Sequence, residues 1–154
     1  MAGGIPLIRS LKEGLVANRI QSIFGILNGT SNYILSKMTD EGRSFKEVLK
    51  EAQEKGYAEA NPTYDIEGID AAHKLAILIR LAFGTSIQFK EIFIGGISEI
   101  KPLDMQFSRE FGYRIKLLAI TKIDNGKIEA RVHPTMIPES HLLSTVEGVF
   151  NAIY

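Results

Sequence analysis

The sequence predicts an α+β domain: a mixed, largely antiparallel β-sheet covered by α-helices. Three observations lead there. Apolar residues recur at helical spacing through the first half of the chain. Short β-branched runs crowd the second half. Asp124-Asn125-Gly126 then joins two of those runs as a tight hairpin turn. Strands gathered toward one end argue against a doubly wound parallel sheet.

The elements follow in order. Residues 6–17 place Leu7, Ile8, Leu11, Leu15 and Val16 on a helical period, with Pro6 suited to a first helical turn. Residues 20–27 read as a buried strand. Asn28-Gly29-Thr30-Ser31 breaks it, and Thr30 or Ser31 is the expected cap of a helix over 31–39. Ser44 and Glu47 form a capping box for a helix over 45–55, which Gly56 ends. Residues 57–67 have no period and read as an ordered loop. Residues 68–83 form the most apolar helix of the chain, closed by Gly84. Strands are expected at 91–97, 114–122, 127–133 and 145–154, with a short helix over 102–112. The last of these strands runs to the final residue, so a chain truncated at its ends is expected.

Bulk properties narrow the function. A length of 154 residues suits one domain with a real core. Formal net charge is zero and the charges are interleaved, which excludes the basic footprint of a nucleic-acid binder. The absence of cysteine removes disulfides, thiolate catalysis and Cys-based zinc sites, and fits a reducing cytoplasm. No apolar run approaches the roughly 18 residues that a membrane span needs. Met1–Pro6 lacks the basic-then-apolar layout of a signal peptide. There is no G-x-G-x-x-G after a strand, hence no dinucleotide fingerprint.

Chemistry concentrates between Gly56 and Lys74. Asp70 and Lys74 stand four apart on the apolar helix and so share a face. At the edge of a core, burial lowers a lysine pKa and a nearby carboxylate raises it, and a lysine between those pulls can exchange protons. An ordinary helix ion pair fits the same spacing. Glu59, Asp65 and Glu67 precede the pair, beside Tyr57 and Tyr64. Such carboxylates can hold an ammonium-bearing substrate or simply line a solvated acidic loop. Asn28–Ser31, at a strand end before a helix, suits either a capped turn or an anion site on backbone N–H groups. His73, His133 and His141 lack metal-ligand spacing and read as structural or surface residues.

GGIPLI, GILNGTSNYIL, EAQEKGYAEANPTYDIEGIDAAHKL, GYRIKLLAI, IEARVHPTMIP and GVFNAIY together resemble the catalytic domain of homoserine dehydrogenases, over essentially 1–154. The resemblance implies interconversion of L-homoserine and L-aspartate 4-semialdehyde with NAD or NADP, on the route to threonine, methionine and isoleucine. It implies Lys74 as general acid/base and Asp70 as its partner and a substrate ligand. Glu59 matches a glutamate that holds the substrate, and Tyr57, Asp65, Gly29 and Thr30 match further pocket positions. Gly56 matches a backbone position that approaches the nicotinamide.

Met1, Gly3 and Ile5 match backbone carbonyls that hold a sodium ion in some members of that family; the acidic ligand expected just upstream is absent. The resemblance also implies a homodimer built through the sheet. The family's nucleotide-binding domain, with its second active-site lysine, is lacking here. The expectation is therefore a substrate site that works only beside a nucleotide domain, the alternative being a non-catalytic dimerisation module.

Overall fold

The computed structural model describes residues 2–154. After a 3-10 turn at Ala2–Gly4, helix α1 (Leu7–Arg9) runs into a π turn at Ser10–Gly14, so the expected first helix forms but is wound unevenly. Strand β1 (Ser22–Ile26) leads to helix α2 (Gly29–Glu41), then α3 (Phe45–Glu54), a one-turn α4 (Thr63–Ile66) and α5 (Ile69–Phe83). Strand β2 (Phe93–Ile94), helix α6 (Pro102–Glu110) and strands β3 (Tyr113–Asp124), β4 (Lys127–Pro138) and β5 (Ala152–Ile153) complete the chain.

The strands form one five-stranded sheet in the order β2-β4-β3-β1-β5. Only β2 and β4 pair in parallel; the other pairs are antiparallel. The α+β expectation, a mixed and largely antiparallel sheet, is met. The hairpin turn is met too: Asp124 opposes Lys127, and Asn125 and Gly126 adopt φ of 49° and 76°, as the tight turn requires.

Two faces of β3 bury different things because side chains alternate across a strand. Ile115, Leu117 and Ala119 join Ile34, Leu35 and Met38 of α2 and Leu75, Leu78 and Ile79 of α5 in the main core. Leu118 and Ile120 face the other way, into a small cluster with Ile26, Ile137 and Leu143. Complete burial of those α2 and α5 residues fixes both helices against the sheet, and the Asn28 cap of α2 reaches Asp70 in the first turn of α5.

Three local expectations need correction. The cap of α2 is Asn28, not Thr30 or Ser31; its Oδ1 accepts the Ser31 N–H at 2.8 Å and the helix begins at Gly29. The strand expected over 91–97 shrinks to two residues. The chain turns in beneath α4 at Gly96, where a Cβ would lie 2.8 Å from the Ile66 carbonyl oxygen, and Ile97 N–H then bonds that oxygen at 2.7 Å. The strand expected over 145–154 also shrinks to two residues. Ahead of it, the carbonyls of Val146, Gly148 and Phe150 all accept from the Asn32 side chain, at 3.1, 2.9 and 3.3 Å, instead of from a neighbouring strand.

A candidate active site at the head of α2 and α5

Six consecutive residues, Asn28 to Tyr33, hold the surrounding segments in place. Asn28 closes β1 and caps α2. Gly29 lies where a Cβ would come 2.5 Å from the Val149 carbonyl oxygen, so only glycine fits. Thr30 Oγ1 donates to the Tyr57 carbonyl at 2.6 Å. Ser31 Oγ donates to the Asp65 carbonyl at 2.7 Å. Asn32 clamps the C-terminal segment. Tyr33 is buried, donates to Glu51 at 2.6 Å, and meets the edge of the Tyr57 ring at a centroid distance of 5.0 Å. The loop over 57–67 is thus ordered, as expected, and contains the extra turn α4.

Helix α5 starts where this loop ends. Gly68 is its N-cap, with φ of 76° and a buried position against Val132, Ile94 and the Gly95 carbonyl. Asp70 and Lys74 project from its first turns on one face. Lys74 Nζ donates to Asp70 Oδ2 at 2.5 Å and to the Leu27 carbonyl at 2.9 Å. The Asn28 amide nitrogen donates to Asp65 Oδ1 at 2.7 Å and to Asp70 Oδ2 at 2.9 Å. The lysine and aspartate side chains keep 25% and 31% exposure, so a small molecule can reach both. An ammonium held by one carboxylate and one backbone carbonyl, open on one side, is equipped to hand a proton to a neighbouring oxygen and take one back.

The structure brings Asp65, Asp70 and Lys74 together, with Gly29 and Thr30 one and two residues past the shared Asn28. Tyr57 joins them through its carbonyl, and its ring is exposed. Glu59 is exposed and makes no hydrogen bond to these residues among those described; its carbonyl accepts from Gln53 Nε2 of α3 at 3.1 Å. Gly56 has φ of 75° and nothing within 4 Å of a Cβ position, which leaves its backbone open to a flat ring. The exposed Tyr64 makes no hydrogen bond here among the described residues, and Glu67 instead accepts from Ser98 at 2.7 Å.

Of the sodium positions, Met1 lies outside the described residues. Ala2, Gly3 and Gly4 all have positive φ (52°, 59° and 89°), and the Ile5 carbonyl accepts the Leu7 N–H at 2.7 Å. Among the described residues, no three His, Asp or Glu side chains converge as a metal site. His73 stacks on Phe89, His133 Nδ1 sits 2.8 Å from the Pro134 carbonyl, and His141 accepts from Leu143, all structural uses. No helix among the described residues is long and apolar enough to cross a membrane.

The homoserine dehydrogenase family model matches residues 6–154. The chain belongs to the homoserine dehydrogenase family. It is 58% identical over 153 residues to a homoserine dehydrogenase of Neisseria gonorrhoeae, covering 99% of this chain and 35% of the relative. Its fold matches the crystal structure of a homoserine dehydrogenase from Thiobacillus denitrificans with a TM-score of 0.96 at 57% identity, over 99% of this chain and 35% of that one. A hyperthermophilic archaeal homoserine dehydrogenase mutant in complex with NADPH matches with a TM-score of 0.74 at 32% identity, over 96% of this chain and 41% of that one. The chain therefore spans about a third of the length of the curated relatives it matches.

Sequence reasoning missed Asn28 and the Leu27 carbonyl. Asn28 had a usable signal, since Asn ranks among the best N-caps and the N-G-T-S run follows a strand. The carbonyl had none, because backbone partners leave no trace in residue type.

Proposed function

We propose that this chain is the catalytic and dimerisation domain of a homoserine dehydrogenase, holding L-homoserine or L-aspartate 4-semialdehyde and moving the hydroxyl proton. The observation that carries this is the Asp70–Lys74 pair, held at 2.5 Å, braced by Asn28 and Asp65 and still open to solvent. Family membership supports that substrate class and a place for the reaction in threonine, methionine and isoleucine synthesis.

In the oxidative direction, neutral Lys74 takes the proton of the substrate hydroxyl as the C–H hydride leaves. In the reductive direction, the Lys74 ammonium returns that proton to the aldehyde oxygen as hydride arrives at the carbon. NAD or NADP, when bound, takes or supplies that hydride. Gly56 fits beside the nicotinamide because no side chain crowds its backbone. Asp70 orients the lysine and, with Asp65, Glu59, Tyr57, Gly29 and Thr30, lines the pocket. Glu59 is free to take the substrate ammonium because its side chain makes no hydrogen bond among the described residues.

A sodium ion on the Met1, Gly3 and Ile5 carbonyls belongs to the same proposal. It rests on the family resemblance alone, and the Ile5 carbonyl already accepts the Leu7 N–H at 2.7 Å. A homodimer across the sheet is supported by exposed Phe93, Leu142 and Tyr154 beside the small second-face cluster. A sedimentation measurement showing only monomer at high concentration would count against that dimer. A cytoplasmic location is supported by the cysteine-free sequence.

The test joins this chain to the remaining sequence of the Neisseria gonorrhoeae relative and measures homoserine-dependent reduction of NAD or NADP. Turnover that collapses in Lys74→Ala and Asp70→Asn, with the fold kept, is expected. Full turnover in Lys74→Ala sinks the assignment of the proton carrier.

A further inference from the structure

The side chain of Asn28 makes more polar contacts than its capping role needs. The residue is only 6% exposed. Its Oδ1 is committed to the Ser31 N–H, which can only donate, so the amide orientation is settled by the backbone. Nδ2 must therefore face the other way, and it donates one hydrogen to Asp65 Oδ1 and one to Asp70 Oδ2. The Asp70 oxygen it reaches is the one that also accepts from Lys74. Asp65 Oδ2 and Asp70 Oδ1 are left without a hydrogen-bond partner among the described residues.

Two carboxyl groups drawn to one nitrogen crowd like charge together, and a donor between them offsets that repulsion. A cap alone has no need of that donor: Ser, Thr or Asp at this position accepts the same N–H. We propose that Asn28 is a positioning residue of the site. Its amide bridges Asp65 to Asp70, turns one oxygen of each carboxylate toward the substrate side, and fixes the Asp70 oxygen that orients Lys74. The proposal rests on the proton-transfer reading of Lys74 given above.

Two substitutions separate positioning from capping. Asn28→Asp keeps the shape and the cap acceptor but replaces the bridging donor with a third carboxylate. Asn28→Ser keeps a cap acceptor and removes the bridge. Both are measured in the enzyme completed with the Neisseria gonorrhoeae sequence, and thermal unfolding is measured on the 154-residue chain. The expected result is a fall in kcat of roughly 10- to 100-fold, the loss of a hydrogen bond to a charged group. The acid limb of the pH–rate profile of Asn28→Asp should move to higher pH, because the added negative charge favours proton uptake by the site. Asn28→Ser should lower the unfolding temperature by only a few degrees, since the cap survives, and Asn28→Asp by more, since a third carboxylate faces the other two, so kcat is compared per folded enzyme.

Parent-like kcat and an unmoved acid limb in both variants would overturn the proposal. So would a kcat loss that merely tracks a loss of folded protein. Lys74→Ala in the same enzyme separates the two levels. If it keeps full turnover, the proton-transfer reading fails. If it is inactive while both Asn28 variants work normally, only the role of Asn28 fails.

Discussion

Lys74 and Lys116 both donate to backbone carbonyls near α2 and show what burial alone does not confer. Lys74, on α5, has a carboxylate, a backbone carbonyl just ahead of α2 and an opening to solvent. Lys116, on β3, is 1% exposed, donates to the Val146 carbonyl at 2.6 Å and lies 3.4 Å from Ser36 Oγ, two turns further along α2. Burial pushes its pKa down to about 8, against opposing pulls from Glu147 and Asp40. A perturbed pKa is a signpost to function only where a substrate can arrive. Lys116 is sealed and ties down the C-terminal segment, while Lys74 keeps the opening to solvent that the proposed proton transfer needs.

The largest effect that would break this contrast lies in activity. Lys74→Ala in the completed enzyme is expected to lower kcat by roughly 10²- to 10⁴-fold, the usual span for a lost general acid/base. Lys116→Met should leave kcat within about twofold, because the side chain reaches no substrate. Steady-state assays of the two side by side decide it; equal losses would erase the distinction.

The next effect is on the segment that α2 shares with both lysines. Gly29→Ala forces a Cβ against the Val149 carbonyl, whose backbone cannot swing aside as a long side chain would. A loss of about 2–3 kcal/mol is expected in urea unfolding. An unchanged midpoint would show that this close approach is not constraining.

Lys116 gives a smaller, pH-dependent signature. Its folded pKa lies below its unfolded value, so below about pH 8 the folded chain carries a buried charge that the unfolded chain keeps solvated. Between about pH 8 and 10 the unfolded state binds more protons, and stability rises with pH. Lys116→Met should therefore be more stable than the parent by about 2 kcal/mol at pH 7, with the gap closing toward pH 10. A gap that stays constant over that range would contradict the cause assigned here.

The smallest effect is at the outer edge of the site. Tyr33→Phe removes the hydroxyl that Glu51 accepts and Lys55 touches, within a network that holds the Glu51 carboxyl below the usual carboxylate range through Lys55, Tyr33 and Arg43. A cost of about 1 kcal/mol in thermal unfolding is expected, with little change in turnover because the ring edge under Tyr57 remains. A large kcat loss would extend the active site further than the geometry supports.

Much of this is legible in the sequence. The capping box at Ser44 and Glu47, the Gly56 and Gly84 stops, the Asp124–Gly126 turn and the shared face of Asp70 and Lys74 are local patterns, and each is present. What escaped was long-range. The 145–154 run has a strand's composition, but Asn32, more than a hundred residues earlier, takes its carbonyls. Lys116 sits in the run RIKLLAI, and only the second layer of packing tells a buried lysine from an outward one. The acid–lysine pair is legible from its i, i+4 spacing, but its tie to Asp65 through Asn28 is not, because that contact spans some forty residues.

The central claim is that Lys74 carries the hydroxyl proton. Chemical rescue tests it most directly. Lys74→Ala in the completed enzyme is assayed for homoserine oxidation with increasing methylamine or ethylamine. A variant nearly inactive alone, whose turnover rises with amine concentration while Lys116→Met shows no amine dependence, is the expected result. Full turnover in Lys74→Ala without added amine would contradict the claim.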